Sequence, residues 1–304
     1  MLNGLKKIFN KKSSTSKFGI ALRRQVGSYA VVDKSTSTCQ IDEFFTETTD
    51  SAGDWLEELL SSHTFSGRGT LVLSSSHFHS VQIDKPDLPD DEISAALKWL
   101  VKDIVPIEPE DMVVDYSDSP VVVAGTQKIN VVCANLSHLK KFTDSFKRYQ
   151  VKLSGITTDE FAFANLVKAS EKPTLLLCQQ PFEDLLLLII VNGQIYLSRR
   201  LRGFNEIGGY SQEQLMNGIC DSLSIELQKS LDYFERQLKQ APVTSIQVIL
   251  PVVHEDFIVE RLNANANIKV EKLVLDTDFA QHRHCAASVG AIVETSIREA
   301  QQSE

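Results

Sequence analysis

The chain has 304 residues, about twice a typical domain, and its 42% hydrophobic and 23% charged residues are ordinary for a globular protein, so two packed lobes are within reach. Five scattered cysteines without a Cys-x-x-Cys pair argue against a disulfide framework or a zinc site. The net charge of -9 becomes about -14 once the five lysines of residues 1–17 are set aside, which argues against general nucleic-acid binding by the body.

Residues 1–17 form a basic leader and linker. Leu2, Leu5, Ile8 and Phe9 recur at helical spacing opposite Lys6, Lys7, Lys11 and Lys12, before a Ser13-Ser14-Thr15-Ser16 stretch. Two readings fit: a short interfacial helix making weak, reversible contact with an anionic membrane surface, or a solubilising tail. No apolar stretch with a small-residue cleavage site is visible, and the expectation is a cytoplasmic protein in at most weak contact with a membrane surface.

Short alternating strands follow at Phe18–Leu22, Tyr29–Asp33 and Cys39–Phe45, then a helix from near Asp54 through Leu60 and a strand at Thr70–Ser74. A second pass repeats that order, with strands at Thr174–Cys178, Asp184–Val191 and Gln194–Arg199, a long helix, and a strand at Ser245–Leu250. The run Leu185–Val191 is far short of the ~20 residues that span a bilayer and reads as a buried strand. Three strands, a helix and further helix-separated strands make a ribonuclease-H-like unit, and two in tandem predict an α/β protein with a cleft between lobes. The first lobe takes residues 18–86 and 153–172, and the second takes 173–304, whose last helix is free to pack back on the first.

Residues 87–152 read as an inserted α/β module. Asp90 is placed to cap a helix whose apolar face is Ile93, Ala96, Leu97, Leu100 and Ile104, ended by Pro106. Strands at Met112–Tyr116, Pro120–Ala124 and Ile129–Asn135 precede a helix carrying Leu139, Phe142, Phe146 and Tyr149. The long helix of the second lobe runs from a Ser211 cap to about Lys239, with a possible kink at Ser222–Ser224.

Four segments carry a family resemblance: the basic leader running into Phe18-Gly19-Ile20; Leu88-Pro89-Asp90-Asp91-Glu92-Ile93 with Trp99; Ile156-Thr157-Thr158-Asp159-Glu160-Phe161-Ala162; and Glu226-Leu227-Gln228-Lys229-Ser230-Leu231-Asp232-Tyr233-Phe234. Together they resemble the PilM family of actin-like proteins of type IV pilus assembly, most closely its shorter MshI branch of the mannose-sensitive haemagglutinin (MSHA) pilus system. The resemblance implies the actin-like ATPase fold shared with FtsA: two ribonuclease-H-like lobes, with the extra module in the position of the FtsA-type 1C insertion.

An actin-type site needs an acid to hold hydrated Mg²⁺ and a glycine for close phosphate approach at each of two turns. The first turn, Gly-Ile-Asp-Ile-Gly in PilM-like chains, reads Gly19-Ile20-Ala21-Leu22-Arg23 here. The second reads Cys178-Gln179-Gln180 instead of Asp-x-Gly, and Pro251-Val252 replaces the glycine pair expected after Leu250. The stretch from Arg199 to Ser224 is also short for the family. These changes predict a degenerate nucleotide site, no cofactor and no enzymatic activity. The rival expectation is an actin-like ATP-binding protein or ATPase, with Arg23 and Arg24 supplying charge in place of magnesium.

Other candidates are plainer. His77-Phe78-His79, His282-Arg283-His284-Cys285, Asp276-Thr277-Asp278 and Asp90-Asp91-Glu92 lack recognisable metal spacing. Gly67-Arg68-Gly69 and Gly208-Gly209 lack phosphate-loop fingerprints, and no nucleophile elbow is present. The resemblance implies a scaffold that binds the cytoplasmic N-terminal peptide of a PilN-type inner-membrane protein and links the platform to the pilus assembly ATPase. It places that peptide in the groove between the first lobe and its insert, for which Trp99, Leu100 and Ile129 are the candidate residues. A regulator that binds a diffusible signal in the vacant cleft is a third reading.

Overall fold

The computed structural model describes residues 16–23, 26–33, 38–45, 52–123 and 125–301. The leader residues Leu2, Leu5, Lys6, Lys7, Phe9, Lys11 and Lys12, and Arg24, lie outside the described residues. The elements are, in order, β1 (Ser16–Leu22), β2 (Val26–Asp33), β3 (Thr38–Phe45), α1 (Ala52–Ser62), β4 (Arg68–Leu73), β5 (His79–Asp84), α2 (Asp90–Val101), β6 (Met112–Val123), β7 (Thr126–Asn135), α3 (Leu136–Arg148), β8 (Lys152–Thr158) and α4 (Asp159–Ala164). The second half holds β9 (Thr174–Cys178), β10 (Leu185–Val191), β11 (Gln194–Leu201), α5 (Gln212–Gln214), α6 (Cys220–Asp232), β12 (Ser245–Ile249), α7 (Glu255–Asn265), β13 (Val270–Lys272) and α8 (Ala286–Gln301).

Two five-stranded sheets repeat one topology, β3-β2-β1-β4-β8 and β11-β10-β9-β12-β13. In each, three strands form an antiparallel meander and the remaining two run parallel to the first strand. The central strands read as apolar runs because both their faces are covered. β9 and all but the last residue of β10 are buried, with Leu175, Leu177, Leu187 and Ile189 in the core under α6 and α7. Leu176, Leu186, Leu188 and Ile190 face the other way and join Ala21, Val72, Ala162 and Phe163 in a core shared by the two lobes. α8 lies on the first sheet, where Ser28 and Ser288 share a 2.7 Å hydroxyl bond and Thr70 and Thr295 one of 2.8 Å.

That docking is close enough to require glycine at two points. A β-carbon on Gly19 would meet Ser288 O at 2.0 Å, and one on Gly290 would meet Ala162 O at 1.9 Å, so α8 fits against β1 and α4 only where side chains are missing.

The third sheet, β5-β7-β6, differs from the sequence reading in three ways. β5, assigned there to the first lobe, pairs along its length with β7. β6 is one strand through Val123 rather than two, because its register slips between Asp118 and Val122; the intervening Ser119 and Val121 bond to each other and Val121 drops into the second-lobe core. α3, counted there within the insert, places Phe142 and Phe146 beside Phe18 and Phe65 in the first-lobe core.

Two helix details also differ. Asp90 is the first residue of α2 and not its cap; Pro89 holds the cap position with no side-chain bond, and the buried face is Ile93, Leu97 and Val101. The second-lobe helix breaks at Asn217–Gly218, where Gly218 has φ 117°, and not at Ser222–Ser224, whose Ser224 hydroxyl donates back to Cys220 O and accepts from Asn265 Nδ2.

Candidate functional site

The turns read from the sequence as degenerate lie at the carboxyl ends of β1, β9 and β12, the end at which open α/β sheets bind ligands. Ala21 is fully buried in β1 against the shared core, and Cys178 ends β9 in the same core. Burial, and then the nearby Asp159 carboxylate, push the Cys178 thiol well above its ordinary range, so it stays a neutral core residue. Neither position offers an exposed carboxylate or thiolate to a hydrated metal ion.

The space between the turns is taken by the chain's own polar groups. Arg23, 3% exposed, extends from the end of β1 across to the second lobe, donates to Pro181 O at 3.4 Å and pairs with Glu43. Glu183 answers from the second lobe, accepting from Ser74 Oγ at 3.3 Å and Ser75 Oγ at 3.5 Å. Gln179, also buried, donates its backbone N–H to Ile249 O and its side-chain amide to Glu183 O and Phe204 O. After β12 the Leu250 N–H is bound by the Glu255 carboxylate at 2.7 Å. That carboxylate is gripped in turn by Arg283, which also donates to Val248 O and Leu273 O. Val252 closes on Gly208, where a β-carbon would sit 3.3 Å from its methyl group. Most of the donors named here are thus paired to carbonyls and carboxylates of the chain, while Arg23 Nε, Gln180 Nε2 and Arg283 Nε are buried without a hydrogen-bond partner among the described residues.

A second polar cluster ties the lobes together behind the cleft. Arg200 on β11 forms a two-pronged bond to Asp159 at the start of α4, at 2.6 and 3.1 Å, with Glu160 at 3.5 Å. Its guanidinium stands over the Phe78 ring, 5.6 Å from the centroid. Asp159 and Glu160 are both buried. Burial, reinforced by the Asp159 charge and opposed by Arg200 and a Ser198 hydrogen bond, raises the Glu160 carboxyl above the usual carboxylate range. Nothing in the local sequence pattern signals this pair, because its members are 41 residues apart.

Arg200 and Glu160 also line a cavity of about 660 Å³ bounded by the first lobe, the third sheet and β11. Its floor is the face of the third sheet carrying Ser80, Gln82, Ser117, Asn130 and Val132, with Phe161 and Tyr233 at the sides. The residues foreseen for a peptide groove are elsewhere. Side chains alternate along β7, so Ile129 points to the opposite face and is fully buried in the insert core with Ile93 and Leu97. Trp99 and Leu100 are 61% and 47% exposed on α2, which covers that opposite face. None of the three lines the cavity, whose polar floor comes from the intervening strand positions.

Among the described residues, no three His, Cys, Asp or Glu side chains gather in a way that could hold a metal ion, and no helix is long and apolar enough to cross a membrane. His77 packs edge-on against Phe142, and burial, with a smaller push from His138, lowers it to about 4. The rings of His282 and His284 lie 5.8 Å apart.

No family model and no curated protein matches the chain. Solved structures do. A PilM-PilN type IV pilus biogenesis complex superposes with a TM-score of 0.66 at 14% identity, covering 91% of this chain and 98% of that one. The chain has the actin-like ATPase fold. The cytoplasmic domain of EpsL, an inner-membrane component of the type II secretion system of Vibrio cholerae, gives a TM-score of 0.53 at 13% identity, with 88% and 94% of the chains covered. A Bacteroides thetaiotaomicron protein of actin-like ATPase fold and unknown function gives 0.52 at 11% identity, over 85% and 91%. Within the actin-like fold the sealed turns lie between the two lobes, and the open cavity lies where the third sheet meets both.

Proposed function

We propose that the chain is a non-catalytic scaffold of a pilus- or secretion-type assembly machine, working at the cytoplasmic face of the inner membrane. It binds the cytoplasmic N-terminal peptide of a PilN-type inner-membrane protein in the cavity beside the third sheet and links that platform to the assembly ATPase; the MSHA pilus is the system it serves. The basic leader adds weak membrane contact. One observation carries this reading: the interlobe turns are filled by Arg23, Glu43, Glu183 and Glu255, while a cavity of about 660 Å³ stays open at the insert. The chain's own carboxylates and carbonyls occupy most of the donors at the turns, and the cavity is of a size that suits short ligand segments. The likeness to the PilM-PilN complex supports a partner of this type.

Calorimetric titration tests both halves. The synthetic N-terminal peptide of the PilN-type partner is expected to bind stoichiometrically, and Mg-ATP to give no heat beyond dilution. Stoichiometric micromolar ATP binding, or sedimentation that depends on nucleotide, would instead establish the actin-like ATPase reading.

A further inference from the structure

We infer that the cavity takes its peptide by strand addition, with an extended segment pairing to the free edge of β11 while it lies across the polar face of the third sheet. This rests on the peptide-binding reading above and specifies how the peptide is held. β11 ends the second sheet, and among the described residues its strand partner is β10 alone. Six consecutive residues from Gly193 to Ser198 line the cavity. A strand that turns one face to a cavity contributes every second residue, as β7 does with Asn130 and Val132, so an unbroken run means that a backbone edge borders the space; His79 to Gln82 of the edge strand β5 does so from the third sheet as well.

An open edge presents N–H and C=O groups on alternate residues, repeating about every 7 Å. A polypeptide matches that repeat along its whole length, whereas a compact small molecule meets only one or two of its members. The opposite wall suits the same occupant. Ser80, Gln82, Ser117 and Asn130 are uncharged donors and acceptors, set on the sheet face opposite the one that α2 covers. Charge narrows the occupant further. Asp118 is paired with Lys85, and Glu160 sits beside Arg200, while Arg202 on the cavity wall is exposed and has no ion-pair partner among the described residues. The segment that fits is therefore uncharged or anionic, and Gly193 to Ser198 gives it room for about six residues, roughly 20 Å of strand.

The test is a backbone N-methyl scan of the partner's N-terminal peptide, each methylated version titrated into the full chain. Methylation removes one N–H and leaves the side chain intact. Strand addition requires a period of two: affinity falls about tenfold or more at alternate residues, whose N–H groups face β11, and changes less than about twofold at those between. If the parent peptide binds but methylation has a uniform or non-alternating effect, strand addition is refuted and the peptide reading stands. If the parent peptide does not bind at all, both fall.

Discussion

Replacing Arg200 by methionine should be among the most damaging single changes in the second lobe. The guanidinium bonds both Asp159 oxygens at 2.6 and 3.1 Å and lies 3.5 Å from Glu160, and the Asp159 side chain is only 3% exposed. Without it two adjacent carboxylates remain buried with no cation, a loss of about 3–5 kcal/mol. Glu160 supplies partial relief by taking up a proton, since burial and Asp159 already raise it. The sign follows from that direction. A carboxyl held above its unfolded value of 4.5 favours the acid form in the folded state, so stability falls as pH rises from there through the folded value. Arg200→Met should deepen that fall, because the cation that opposes the shift is gone. Urea unfolding at pH 5 and pH 7.5, followed by fluorescence and far-UV dichroism, measures both effects. Asp159→Asn combined with Arg200→Met should recover more than half of the loss, because only the unpaired charge is expensive. A cost below about 1 kcal/mol for Arg200→Met would refute the claim that this pair holds the lobes together.

Burial lowers His77 to about 4, so the unfolded chain takes up its proton first and stability should drop as pH falls from 6.5 towards 4. Melting His77→Asn and the parent chain at pH 7 and 4.5 should show the variant losing less; equal losses would mean that His77 is not buried neutral. Gly290→Ala drives a methyl group into Ala162 O and should cost at least ~2 kcal/mol, whereas Gly209→Ala, with open space around it, should cost under ~1 kcal/mol; thermal melts compare the two. Ala21→Asp returns an acid to the first turn but places it at a fully buried site beside Val72 and Ala30. It should destabilise the chain by several kcal/mol and leave ATP titrations flat; gain of ATP binding would show that the turn is intact apart from that one residue.

Much of the architecture is legible in apolar period alone. The runs at Thr174–Cys178 and Leu185–Val191 read as buried strands because nearly every residue is apolar, and they are buried on both faces. What sequence reasoning missed depends on choices that a local pattern does not encode. The slip in β6 sends Val121 into a core formed mostly by residues 175–270, which no window around Ser119 contains. Ile129 lies off the cavity because it and Asn130 differ by one position, and only the pairing of β7 with β5 and β6 decides which of them meets α2. The Arg200–Asp159 pair and the Arg23 crossing are long-range contacts between residues whose types would suit any solvated surface. That Ala21, Cys178 to Gln180 and Pro251-Val252 carry neither an acid nor a glycine is read directly from the sequence, because it concerns residue types at single positions and no long-range contact.

The packing of α8 has a consequence for how the protein is made. The first sheet is assembled from residues up to Thr158, yet its covering helix begins at Ala286 and supplies the hydroxyl partners of Ser28 and Thr70. At a synthesis rate of roughly 5–20 residues per second, that sheet leaves the ribosome on the order of 10 s before the helix that seals it. During this interval the face around Gly19 and Ala21 stays uncovered. A nascent chain stalled before α8 is therefore expected to be the form most exposed to chaperones and to misassociation, although it already holds both of its central sheets.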